Sequence, residues 1–424
     1  MIVILGAGVA GLSAAFHLKG KEYRIFEKEG EVGGLCRSVV QDGFTFDYTG
    51  HLLHLSQLYT QELLNKLLPD QLIRHQRRSA IYFKGSYIPF PFQTNLWALP
   101  KEIAGECLIE FIRASCGVVQ KGEDFLSWIY KALGSGIAKY FMIPYNEKLW
   151  RIPLDEISLE WVERFIPCPT LEEVIDGALG VNLKGFGYNQ EFLYPLKGGI
   201  RILPQAFLAQ VQDVQLGKEV AALDTEKKVV RFQDGGETTY NTLLSSIPMD
   251  ELLQRIESCP EEIKDLQSGL RYVSVININL GVAREGITDH HWVYFPEPSY
   301  PFYRVGFLSN LSPHMAPQGT SALSVEISCL PSIPPSLEKV REQALTALVS
   351  CGILRAEDEI LAEKTIFIKH AYVIYDRFRS RQLPRIIQFL RSNRIYPLGR
   401  YGLWEYTTME EAILQGKEAA EALS

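Results

Sequence analysis

Cysteine pairs at CxxC spacing are missing from this 424-residue sequence: its seven cysteines (Cys36, Cys107, Cys116, Cys168, Cys259, Cys329 and Cys351) are dispersed and odd in number. That excludes a zinc knuckle or a redox-active dithiol, predicts no metal site, and points to a reduced, cytoplasmic setting. A positive surplus is missing too. The 43 Lys and Arg against 50 Asp and Glu give a formal net charge of −7, which argues against nucleic acid as a partner, since its binders carry a clustered basic face. No apolar run is long enough for a bilayer: Ile2–Leu12 falls well short of the ~20 residues required and is broken by glycines. Met1 enters that run with no basic n-region, so the start is expected to belong to the fold and not to a signal peptide. There is no internal repeat and no low-complexity tract.

What is present is an ordinary globular composition, 46% hydrophobic and 22% charged. The chain exceeds the ~100–200 residues of one domain, so two or three packed units are expected. It opens with a strand (Ile2 to Leu5), a glycine turn (Gly6 to Gly11), a helix (Leu12 to Lys19) and a second strand (Tyr23 to Glu27), a compact βαβ unit with parallel pairing. Val220 to Leu223 and Val229 to Phe232, then an apolar segment ending at Pro248, look like a return to the same sheet. Between them, residues 97 to 180 carry apolar residues at helical spacing. From 271 to 330 the pattern changes to alternation, as in antiparallel strands with one buried face. A Pro-rich connector (330 to 336) precedes a helix from Leu337 to Ser350 and a strand-like segment.

Three glycines carry the first functional signal. Gly6, Gly8 and Gly11 follow an apolar strand, open a helix and stand ~20 residues before the acid Glu27, the spacing of a ribose hydroxyl contact. Gly6 permits the tight turn, Gly8 lets the backbone approach a pyrophosphate, Gly11 lets helix and strand pack closely, and the helix N-terminus supplies the positive end. A bound dinucleotide is therefore expected. The segment Gly33, Gly34, Leu35, Cys36, Arg37 and Ser38 after the acid-bearing strand resembles the second glycine turn of the GG-doublet flavoproteins. That resemblance implies FAD, held non-covalently, with Gly33, Gly34, Arg37 and Val220 among its contacts. The expected fold is α/β: a discontinuous Rossmann-like FAD-binding domain (1–75, 195–255 and 385–424), a mostly helical insertion (76–194) and an antiparallel β-sheet substrate domain (256–384).

From Gly43 onward the chain resembles the eukaryotic type of UDP-galactopyranose mutase, within the wider amine-oxidase-like flavoproteins. The match is discontinuous but in order: Phe46–His54, Ile88–Asn95, Phe141–Pro153, Trp161–Arg164, Trp292–Glu297, Pro301–Arg304 and Gly399–Tyr406. The resemblance implies interconversion of the pyranose and furanose rings of a nucleotide sugar without net oxidation, through an adduct between N5 of reduced flavin and the sugar, with NAD(P)H as an external reductant. It places Arg164 and Arg304 at the family's two diphosphate arginines, whose guanidinium forks suit phosphate oxygens. It matches Tyr294, Tyr372 and Tyr406 to substrate tyrosines, Phe92 and Gln93 to the uracil-contacting pair, and Asn189 to a substrate contact. His51 corresponds to the histidine of a loop that adjusts to flavin redox state, the alternative being a satisfied loop histidine, and Arg400 to a flavin contact.

The chain departs from that family where Phe90 and Leu311 stand in place of tyrosines, where His54 replaces an aromatic residue, and after Tyr406, where an AsnGlnAsp run is absent. Two lost hydroxyl bonds at ~0.5–1.5 kcal/mol each could cost more than tenfold in affinity for the usual substrate. Three readings stay open on the sequence: a nucleotide-sugar mutase, an FAD-dependent oxidase or desaturase of the amine oxidase or protoporphyrinogen oxidase type, and a non-catalytic flavin-binding protein. The sugar, the base and the oligomeric state are not legible.

Overall fold

The computed structural model describes residues 1–117, 124–166, 168–181 and 190–423. Its first sheet has five parallel strands in the order Ile395–Pro397, Thr242–Ser245, Ile2–Leu5 (β1), Tyr23–Phe26 (β2) and Val214–Gln215. Three segments far apart in sequence thus share one sheet, and β1 lies at its centre with Val3, Ile4 and Leu5 fully buried, as a parallel strand covered on both faces should be. Helix α1 (Val9–His17) follows β1 and packs against the last helix, Met409–Glu421. The two meet backbone to backbone: a Cβ on Gly416 would come within 2.6 Å of the Ala10 carbonyl. Ser13 Oγ donates to the Ile413 carbonyl at 2.6 Å across the same contact.

The second large sheet has seven strands, in the order Ile360–Val373, Tyr272–Val282, Ser321–Cys329, Arg304–Phe307, Trp292–Tyr294, Ser79–Phe83 and Ser86–Pro89. All its pairings are antiparallel except Trp292–Tyr294 with Ser79–Phe83. The last two strands fall inside the stretch expected to be mostly helical. They form a hairpin because Lys84 and Gly85 take φ of 48° and 80°, the double left-handed turn that matches strand twist, and Ala80–Phe83 bury against the sheet. Beyond them the insertion is helical, with Lys101–Cys116, Phe125–Ile137, Ile143–Trp150 and Leu171–Leu179. Asp124 and Thr170 each close a capping box at the start of their helix.

One expected pairing is corrected. Only Thr242–Ser245 returns to the parallel sheet; Val220–Asp224 and Val229–Phe232 pair with Glu237–Thr239 in a separate three-stranded antiparallel sheet. The short turns Thr225–Lys228 and Gln233–Gly236 close antiparallel hairpins, whereas a parallel return needs a long crossover. No helix among the described residues is long and apolar enough to cross a membrane, and no group of three His, Cys, Asp or Glu among them could hold a metal ion.

Candidate active site

A cavity of about 560 Å³ runs between the two sheets, lined at one side by Gly6, Gly8, Glu27, Gly33, Gly34, Arg37 and Val220. The loop after β1 is shaped for close approach. Gly6 has φ +96°, and a Cβ on Gly11 would lie 2.1 Å from the Gly6 carbonyl oxygen, so helix α1 can start this near the strand only with glycine there. Gly11 itself does not line the cavity; it sets the angle at which α1 points into it. The N-terminus of α1 has no side-chain cap and no acid in its first turn, which leaves a positive end facing the cavity. Gly33 N–H donates to the Ala7 carbonyl at 2.9 Å, stapling the second glycine turn to the first.

Glu27 is buried and accepts the Ala7 N–H at 2.7 Å and the Glu29 N–H at 3.0 Å. A carboxylate has about four lone-pair sites, so two hydroxyls of a ribose can still be bound. Arg37 donates through Nε to the Gly34 carbonyl at 2.7 Å, lies over the Tyr48 ring at 4.6 Å, and faces Glu29 and Glu31 at 3.5 and 3.8 Å. It braces the glycine turn. Uncapped helix, paired glycine turns and buried acid together fit the diphosphate and ribose of a dinucleotide.

The same cavity is walled elsewhere by Gly50, His51, His54, Arg77, Trp292, Tyr294, Arg304, Lys369, Arg400, Tyr401 and Tyr406. Arg304 and Glu326 face each other in register on adjacent strands. Arg304 donates from Nε and NH2 to the two Glu326 carboxylate oxygens at 2.9 and 2.7 Å, while the Tyr303 hydroxyl donates to the same carboxylate at 2.5 Å. Glu326 is 1% exposed, so this fork is held rigid from behind while the arginine reaches the cavity. Tyr294 sits opposite Arg304 in register, edge-on to Tyr145 at 5.5 Å. Tyr372 stacks on Tyr406 with ring centroids 5.9 Å apart and 8° between planes; its hydroxyl is 3.3 Å from that of Tyr303. Tyr406 lines the cavity and Tyr372 lies one ring behind it.

Arg400 donates from Nε and NH2 to the Thr407 carbonyl at 3.1 and 2.9 Å, and its guanidinium lies 4.4 Å over the Tyr406 ring. Burial, reinforced by the Arg400 charge, pushes His51 down to about 4, so its imidazole is neutral at neutral pH. Thr49, two residues earlier, has φ +127°, an outlier for a β-branched residue of the kind that gathers at functional loops. Arg164 is half exposed, lies 4.8 Å over the Phe165 ring, and is ion-paired to Glu411. Phe165 lines the cavity and is edge-on to Tyr406 at 4.5 Å.

The cavity does not gather every expected residue. Phe92 and Gln93 lie in a 3-10 turn (Phe92–Thr94) packed against the helical insertion, with Phe92 fully buried and stacked on Phe141 at 5.2 Å, and neither lines the cavity. Phe90 from that motif packs behind the cavity-lining Tyr294 at 5.1 Å, with the Arg77 guanidinium 4.8 Å over the Phe90 ring. Leu311 is buried beside a small chamber of about 30 Å³ that it shares with His291, Trp292, Arg304 and Glu326. Asn189 lies outside the described residues. Sequence reading missed Glu326, though an acid at an alternating, inward position of an apolar strand is a signal that it has a buried partner.

The fold and the cavity define a cofactor-binding protein, with the glycine loop at the parallel sheet and Arg304 and Tyr294 on the seven-stranded sheet. The profile of the flavin containing amine oxidoreductases matches residues 9–424. The chain belongs to that family, and its cofactor is a flavin. The crystal structure of reduced UDP-galactopyranose mutase is similar over 100% of this chain and 95% of that one, with a TM-score of 0.95 and 29% sequence identity. Among curated proteins, the 4,4'-diapolycopene oxygenase of Methylomonas sp is 23% identical over 86% of this chain and 83% of its own length. The zeta-carotene-forming phytoene desaturase of Myxococcus xanthus is 22% identical over 86% and 80%.

Proposed function

We propose that this protein is an FAD-dependent mutase that interconverts the pyranose and furanose forms of a nucleoside-diphosphate sugar similar to UDP-galactose. The observation that carries the reading is the likeness of the whole chain to reduced UDP-galactopyranose mutase. When bound, reduced FAD supplies a nucleophilic nitrogen for the anomeric carbon, so no side-chain nucleophile is required. The protein's work is positioning and charge management. The N-terminus of α1 and the turn at Gly33 and Gly34 hold the cofactor diphosphate, and Glu27 holds its ribose. Arg304, oriented by Glu326, receives the negative charge of the departing nucleoside diphosphate, with Arg164 as a second cation at the mouth and Tyr294 and Tyr406 as hydroxyl donors. Tyr372 fixes the Tyr406 ring, neutral His51 offers hydrogen bonds without adding charge, and Asn189 is a further substrate contact. The reading implies a cytoplasmic enzyme of polysaccharide biosynthesis, activated by NAD(P)H or another reductant.

An oxidase or desaturase reading is favoured by the carotenoid oxygenase and desaturase among the relatives and by apolar Phe90 and Leu311 in place of hydroxyl donors. One experiment separates the two: titration of UDP and other nucleoside diphosphates against the flavin-loaded protein, oxidised and then dithionite-reduced, followed by flavin absorbance and fluorescence. Nucleotide binding that depends on redox state supports the mutase and names its base. No binding in either state, with rapid reoxidation by oxygen, would falsify the mutase reading.

A further inference from the structure

The C-terminal helix starts with three residues that do separate jobs. Thr408 caps it, accepting the Glu411 N–H at 3.2 Å, while Glu411 Oε2 accepts the Thr408 N–H at 2.8 Å and its hydroxyl at 2.9 Å. Glu410 reaches away to accept from Ser56 and Gln57 N–H groups and the Thr60 hydroxyl. The remaining Glu411 oxygen, Oε1, is paired with Arg164. Two other acids among the described side chains of this region are engaged or recessed: Glu160 pairs with Arg379 at 2.8 Å, and burial raises Glu405. Thr408, Met409 and Phe165 line the cavity mouth, but Arg164 and Glu411 do not. Both are partly exposed, with side chains 49% and 30% accessible, so the pair can open at low cost.

We propose that Glu411 is a positioning residue: it is the resting counter-ion that parks Arg164 beside the cavity mouth, and the diphosphate of an incoming ligand displaces it. This rests on the mutase reading, in which Arg164 binds that diphosphate. The carboxylate and the phosphate compete for one guanidinium, so the substrate-free protein keeps its second cation neutralised, and ligands without a phosphate leave the mouth unchanged.

The test is the affinity of flavin-loaded wild type, Glu411→Gln, Arg164→Gln and the double variant for UDP and for inorganic pyrophosphate. Glutamine serves as well as glutamate in a capping box, so thermal unfolding of Glu411→Gln should match wild type; Glu411→Asp, which keeps the charge but shortens its reach, is a second probe. Expected is about two- to fivefold tighter UDP binding in Glu411→Gln, no such gain in the Arg164→Gln background, and a smaller gain at high salt. Unchanged or weaker binding in Glu411→Gln, or equal tightening without Arg164, overturns the counter-ion role alone. If wild type binds neither UDP nor pyrophosphate in either redox state, this inference and the mutase reading fall together.

Discussion

Replacing Arg304 by methionine strips a buried carboxylate of its cation. Glu326 is 1% exposed and loses both guanidinium bonds, at 2.9 and 2.7 Å, keeping the Tyr303 hydroxyl. Removing one side of a buried pair costs about 3–5 kcal/mol. With an unfolding entropy of about 2.1 cal/mol/K per residue, the melting temperature of this 424-residue chain should fall by roughly 4 °C. The assay is thermal unfolding of wild type, Arg304→Met and the double variant Arg304→Met/Glu326→Met at pH 7. The double variant should recover most of the stability, because apolar replacement of a buried pair is often neutral, yet remain unable to bind UDP. A single variant that melts like wild type, or a double variant no more stable than the single one, refutes the buried-pair argument. A double variant that still binds UDP refutes the assignment of Arg304 to the diphosphate.

Three further outcomes are expected. Gly8→Ala should fold but purify with little flavin, read from absorbance near 450 nm, because its Cβ meets only Gly34 Cα, at 3.9 Å; Gly11→Ala, with a Cβ 2.1 Å from the Gly6 carbonyl, should not fold soundly at all. His51 has a folded pKa near 4, below its unfolded value, so the unfolded chain binds more protons between about pH 6.5 and 4. Stability should therefore drop through that window as pH falls, and His51→Asn should flatten the drop in a melting series. Lys148 donates from Nζ to the carbonyls of Phe295, Glu297 and Phe302 at 2.7, 2.6 and 3.3 Å, tying both limbs of the turn between Tyr294 and Arg304. Lys148→Met should cost about 3 kcal/mol in chemical denaturation by stranding buried acceptors, and an unaltered midpoint would count against the clamp.

The parts of the molecule legible in the sequence are those governed by local rules. Gly6, Gly8, Gly11 and Glu27 could be read because each answers a steric or polar demand set by its immediate neighbours. The helix over Leu337–Ser350 could be read from apolar spacing alone. Arg304, Tyr294 and Tyr406 came from a resemblance; no spacing rule would have put three residues from two strands and a C-terminal loop on one cavity. A motif match gives the residue types of Phe92 and Gln93 but not the direction in which a 3-10 turn points them. Glu326 was overlooked because an alternating strand pattern assigns faces and says nothing of which strand lies alongside; its partner is set by sheet order. The hairpin from Val220 to Phe232 was put in the wrong sheet for the same reason.

The five-stranded sheet imposes an order on synthesis. Its central strand leaves the ribosome well before the edge strand Ile395–Pro397 and the helix that presses Gly416 against α1, and Arg400 and Tyr406 travel with those later segments. The glycine loop is therefore made long before the segments that close its pocket. Cofactor capture has to follow the arrival of those segments, and flavin supply at that moment should govern how much of the protein reaches its mature state.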